Sequence, residues 1–198
     1  MTKSAENNLS TSRSIKNNQV ILEQNIVLTG FMGSGKTTVG QILAGILKWN
    51  FIETDRLIEQ SLGMPILKIF ELHGEDFFRD KECEIVQTVK SLPPGTCVIS
   101  TGGGVVLRPE NIAALKATGM IFYLDLSAKE ALLRLKDKKD RPLLQEGGLM
   151  NTISGLMNQR RHLYDSSADY KVNTEGKKPE EVAREIELIM KGNKNVKE

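Results

Sequence analysis

Hydrophobic and polar positions along this chain switch between two rhythms, and the switching divides it into elements. Residues 25–29 (Asn-Ile-Val-Leu-Thr) form a short, almost unbroken apolar run, as expected of a strand buried on both faces. Directly afterwards Val39, Ile42, Leu43, Ile46 and Leu47 recur at helical spacing and predict a helix to about Lys48. The succession then repeats. Further strands are predicted at 51–54, 97–100, 120–124 and 170–173, and helices at 55–62, 65–72, 76–90, 109–118, 128–137, 152–166 and 179–190. Gly63 separates two of the short helices, and Ser-Leu-Pro-Pro-Gly at 91–95 ends the longer one. Residues 138–149 show no periodicity and contain Arg141-Pro142 and Gly147-Gly148.

Strands alternating with helices need crossover connections, which produce a parallel sheet covered on both faces. The expected fold class is α/β: one three-layer α/β/α sandwich around a five-stranded parallel sheet, spanning residues 19–191, with no repeat or second domain. Ligands of such sheets bind beyond the carboxyl ends of the strands. The glycine-rich segments 30–35 and 102–104 each follow a strand directly, so they are expected on that one rim.

Composition removes several classes of partner. With 198 residues, 39% apolar and 26% charged, the chain has the makeup of an ordinary globular domain. A formal net charge of +2 is too small to argue for nucleic acid or a membrane surface, and no apolar run reaches spanning length. Cys83 falls in a helical pattern and Cys97 in a strand, so both read as core residues in a reducing, cytoplasmic setting. Residues 1–18, rich in Ser, Asn, Lys and Thr, read as a disordered extension. Arg13 as the sole arginine there, together with Glu6, argues against a transit peptide. Residues 192–198 read as a frayed polar tail.

The strongest chemical signal is Gly30-Phe31-Met32-Gly33-Ser34-Gly35-Lys36-Thr37, which meets GxxxxGK[ST] at every fixed position, with a strand before it and a helix after. Gly33, Ser34, Gly35, Lys36, Thr37 and Thr38 would bind ATP: backbone N–H groups turn toward phosphate and the helix adds its positive end. Lys36 would reach the β- and γ-phosphates, and the Thr37 hydroxyl would ligate Mg²⁺. A GTPase would add Asn-Lys-x-Asp. Asn193-Lys194 is followed by Asn195-Val196 and does not qualify; motors and AAA-type regulators have longer domains and an apolar run closing in acidic residues, which is not seen here, so the small kinases remain.

Six further motifs follow in order: Glu53-Thr54-Asp55; Phe78-Arg79-Asp80-Lys81-Glu82; Thr101-Gly102-Gly103-Gly104; Lys138-Lys139-Asp140-Arg141-Pro142-Leu143-Leu144; Arg160-Arg161-His162-Leu163-Tyr164; and Val172-Asn173-Thr174 with Pro179. Together with the phosphate loop they resemble the shikimate kinase family over about residues 25–190. The resemblance implies a P-loop fold of the nucleoside monophosphate kinase type, a monomer, and a mobile lid at about 138–149. It further implies transfer of the γ-phosphoryl group of ATP to the 3-hydroxyl of shikimate, a step toward aromatic amino acids.

By that resemblance Arg79 and Arg160 hold the substrate carboxylate, for which arginine forks are suited. Arg161 is adjacent, and the Tyr164 spacing favours Arg160. Asp55 would orient the substrate hydroxyls and accept a proton; capping the helix that follows is its structural alternative. Gly102, Gly103 and Gly104 would let substrate approach the backbone. Arg141 would close with the lid onto the transferring group, and Lys177 would lie in the adenine loop at 174–179. Glu53 would help hold Mg²⁺, where the family usually has aspartate, and Asn173 replaces a common aspartate. The competing readings are a gluconate kinase or other small-molecule or nucleoside monophosphate kinase of the same architecture, and a non-catalytic nucleotide-binding regulator. The regulator would predict damage at Lys36, Asp55 or Arg141, and all three are intact.

Overall fold

A computed structural model describes residues 24–135 and 149–192, together with 15–16 and 19–20. The expected extension (apart from 15–16), the lid with Arg141 (apart from residue 149) and tail residues 193–198 lie outside the described residues. A short antiparallel pairing of β1 (Ile15–Lys16) with β2 (Gln19–Val20) has no counterpart in the sequence reading.

From there strands and helices alternate: β3 (Asn25–Thr29), α1 (Lys36–Leu47), β4 (Asn50–Glu53), α2 (Thr54–Leu62), α3 (Ile66–Val89), β5 (Cys97–Ser100), α4 (Pro109–Thr118), β6 (Gly119–Asp125), α5 (Ala128–Leu135), α6 (Leu149–Ser167), β7 (Tyr170–Asn173) and α7 (Pro179–Met190). The five longer strands form one sheet in the order β4-β5-β3-β6-β7. Each neighbouring pair is parallel. All carboxyl ends therefore meet one rim, and the direction of winding reverses about β3, where ligands of open sheets collect.

Strand periodicity sorts the core into two layers. Ile26 and Leu28 of β3 pack with Val39 and Leu43 of α1 and with Val182 and Ile186 of α7. Val27, between them, points the other way and packs with residues of α3 to α6, among them Val86, Leu115, Ala131 and Ile153. Alternation of this kind follows from the two-residue period of a strand. Both faces are covered, so every residue of β3 and β5 is buried. Asn25 ties the foot of the sheet: its Oδ1 accepts from the Thr96 and Cys97 N–H groups at 3.0 and 2.9 Å.

A third, smaller cluster of Ile58, Ile69 and Phe78 joins α2 to α3. Here the structure keeps the expected pair of helices, which meet at a sharp break. Two helical stretches run on from one another as α3, one on each side of Gly74, whose φ of 81° and ψ of 177° are not helical. The expected strand at 51–54 ends at Glu53, and Thr54 opens α2.

Candidate active site

The loop after β3 turns through Gly33 and Gly35, with φ of 83° and 93°, backbone angles open to glycine and costly for other residues. These turns aim N–H groups inward, and α1 starts immediately after with no acidic side chain in its first turn. Lys36 is buried, and its Nζ donates to the carbonyls of Gly30 at 2.7 Å and Phe31 at 3.0 Å, stretching it across the loop. The Thr37 hydroxyl donates to Glu53 Oε1. Ser34 Oγ is buried with no hydrogen-bond partner among the described residues, leaving a donor inside the loop.

This loop walls a cavity of about 430 Å³, completed by Thr38, by Thr174, Gly176 and Lys177 after β7, and by Arg134 of α5. The Lys177 amine is engaged by Glu185 Oε2 at 2.6 Å. Arg134 was not anticipated. It donates to the Gly33 carbonyl at 3.3 Å, to Thr174 Oγ1 at 3.2 Å and to the Thr174 carbonyl at 2.9 Å, tying the phosphate loop to the segment after β7. In the sequence its only signal is Glu130 four residues earlier, which reads as an ordinary surface pair.

A second cavity of about 480 Å³ opens alongside, lined by Arg79, Glu82, Gly102, Gly103, Gly104 and Arg160, with Ile66, Phe70 and Phe78 as its apolar wall. Arg79 and Arg160 are only 6% and 5% exposed, a setting in which charges persist when they are paired. Arg79 Nη1 donates to Glu82 Oε2 at 2.9 Å, and Nη2 donates to Glu75 Oε1 at 2.8 Å. Burial by itself would lower the Arg79 pKa, but Glu82 and Glu75 outweigh it, and the guanidinium stays charged. Burial likewise pushes the Glu82 carboxyl above its ordinary range, with Arg79 pulling against it. Glu82 Oε1 has no hydrogen-bond partner among the described residues.

The three consecutive glycines do different work. A methyl group at Gly102 would come within 2.5 Å of Asp55 Oδ1 and 2.8 Å of Glu82 Oε1. One at Gly104 would strike the Arg79 guanidinium, whose Nη1, Cζ and Nη2 all lie against that position. At Gly103 the nearest atom would be 3.5 Å away, an ordinary contact. What Gly103 supplies is its carbonyl, which accepts from the Tyr164 hydroxyl and from Arg160 Nη1 at 3.4 Å. Tyr164 in turn stacks on Tyr123 with centroids 5.0 Å apart, and burial raises its pKa far above the ordinary phenol value.

Of the neighbouring arginines, only Arg160 faces this cavity. Arg161 points away, donating to the Leu126 carbonyl at 3.3 Å and pairing with Asp125 at 3.5 Å. Asp55 is the second residue of α2 and Glu53 occupies the cap position, so the capping alternative for Asp55 is set aside. Asp55, with Met32, Glu53 and Gly103, borders both cavities. A group bound at the arginines would thus face phosphates on the loop across Asp55, an arrangement suited to phosphoryl transfer.

The family model for shikimate kinase matches residues 32–191. A shikimate kinase of Caldicellulosiruptor bescii is 46% identical over 163 residues, 82% of this chain and 93% of that protein. One from Thermodesulfovibrio yellowstonii is also 46% identical, over 82% of this chain and 92% of its own length. Among solved structures, the shikimate kinase of Acinetobacter baumannii in complex with shikimate superposes with a TM-score of 0.82 at 35% identity, covering 87% of this chain and 95% of that one. A gluconokinase of Sinorhizobium meliloti, at 16% identity and a TM-score of 0.53 over 87% of this chain and 94% of its own, shares the fold alone.

Proposed function

The chain belongs to the shikimate kinase family, and on that premise we propose how its two cavities work together. It transfers the γ-phosphoryl group of ATP to the 3-hydroxyl of shikimate, a step toward chorismate and the aromatic amino acids. The observation that carries the residue assignments is the shared wall: Asp55 borders the phosphate cavity and the arginine cavity at once.

ATP lies in the first cavity, its phosphates on Gly33, Ser34, Gly35, Lys36, Thr37 and Thr38, with the base toward Thr174 and Lys177. Arg134 keeps those two ends of the site in register. Thr37 Oγ1 and Glu53 Oε1, hydrogen-bonded to each other on the cavity wall, are hard oxygen donors that suit Mg²⁺. That ion, held by Thr37 and Glu53, would neutralise charge on the phosphates.

Shikimate lies in the second cavity. Arg79 and Arg160 receive its carboxylate, Gly102, Gly103 and Gly104 let its ring approach the main chain, and Asp55 orients the hydroxyl that attacks. Asp55 accepts that proton as the bond to phosphorus forms; positioning contributes more than basicity because the transition state is loose. Arg141, in the lid, adds its charge to the transferring group. The enzyme is read as a monomer, as its family resemblance implies, and the free thiols of Cys83 and Cys97 suit the cytoplasm.

The test is ADP release from ATP and Mg²⁺ with shikimate, run beside gluconate, AMP and no acceptor. Turnover dependent on shikimate is expected. Turnover with gluconate alone would keep the kinase and remove the arginine assignments.

A further inference from the structure

Arg79 is gripped by two glutamates of its own helix, and they grip it differently. Glu82 is 0% exposed, lines the acceptor cavity and takes one bond from Nη1 at 2.9 Å. Glu75 keeps 43% of its side chain exposed and stands outside that lining. A single oxygen of Glu75, Oε1, accepts from both Nη2 at 2.8 Å and Nε at 3.2 Å. Glu75 is the first residue after the break at Gly74, so it sits where helical order resumes, one turn before Arg79. The guanidinium is also pressed against Gly104.

A guanidinium carries five N–H donors. The two glutamates take three, and one N–H on each Nη remains. Two such donors are what a carboxylate needs for two-point binding. Glu75 is half-exposed, and a pair at this helical spacing with one partner in solvent ordinarily contributes little to stability. Its value here is orientation, because fixing one side of the guanidinium selects which donors face the cavity.

We propose that Glu75 is a positioning residue for acceptor recognition, bracing the Nε and Nη2 side of Arg79 so that the remaining N–H groups meet the carboxylate of the acceptor. The inference rests on the reading of the second cavity as the shikimate site. Without Glu75 the Arg79 side chain keeps its charge and its bond to Glu82 but regains rotational freedom, which binding must then remove; that loss corresponds to about tenfold in affinity.

The experiment compares Glu75→Ala and Glu75→Gln with the unaltered chain, measuring KM for shikimate, KM for ATP, kcat and thermal midpoint. Glu75→Ala is expected to raise the shikimate KM about tenfold, with kcat and the ATP KM within about twofold. Glu75→Gln, which keeps an acceptor oxygen without the charge, should fall between. An unchanged or lower shikimate KM in Glu75→Ala overturns the proposal, the latter by making Glu75 a competitor of the substrate. Parallel losses in kcat, ATP KM and thermal midpoint also overturn it, since a structural role would produce them. Failure of the unaltered chain to use shikimate would instead remove the reading beneath it.

Discussion

The two cavities solve neighbouring problems with different materials. The nucleotide cavity is built largely from main chain: two glycines in left-handed turns, the first turn of α1 and a lysine stretched over its own loop, all within residues 30–38. The acceptor cavity is built from side chains on α2, α3 and α6 and the loop after β5, and the two arginines assigned to the carboxylate are 81 positions apart by residue number, 79 against 160. Phosphate tolerates a generic cradle, because any set of converging N–H groups serves it. A carboxylate that must be told from other acids calls for arginine forks, and buried forks need partners to remain charged and aimed. Glu82, Glu75 and the Gly103 carbonyl are those partners, so the second cavity depends on groups whose task is to hold the arginines.

The largest expected effect divides the cavities most sharply. Lys36→Ala should lower kcat by about 10³-fold or more while calorimetric titration shows shikimate binding retained, since only the phosphate side is touched. If binding is lost too, the cavities are not separable. Asp55→Asn, on the shared wall, should lower kcat by about 10²-fold and weaken shikimate as well, with the fold intact by circular dichroism.

Next comes a test confined to the glycines. Gly104→Ala should raise the shikimate KM about tenfold or more by displacing Arg79, with the ATP KM unchanged, whereas Gly103→Ala should leave both within about twofold. Equal effects at the two positions would mean that the triple glycine is only a turn. The smallest effect concerns Glu82, whose carboxyl holds its proton to higher pH in the folded chain than in the unfolded one. As pH rises from the ordinary carboxylate range through that raised value, ionising Glu82 costs folded-state stability. The thermal midpoint of the unaltered chain should therefore fall relative to Glu82→Gln by a few degrees over that window.

How much of this was legible in advance follows the same division. The strands, their parallel order on one rim and the phosphate loop all follow from patterns that repeat within a few residues. The break at Gly74 was legible as well, because the helical pattern lapses between residues 72 and 76; the sequence did not show that the two helices follow so directly that they form one element. Arg134 and Glu75 carry nothing in the sequence that separates them from surface charges, and Glu82 stands in the Phe78–Glu82 motif without a role of its own. Arg160 and Arg161 could be ranked only by resemblance until α6 turned one into the cavity and the other toward Asp125.

By itself, then, the sequence determined the α/β sandwich and the phosphate cradle, since backbone angles, helix ends and hydrophobic period are local properties. The tertiary structure alone decided which charges were buried, which glutamates braced Arg79 and why Gly102 and Gly104 lack side chains. Those depend on how α3 and α6 pack over the loop after β5, a matter of contacts between residues far apart in the chain.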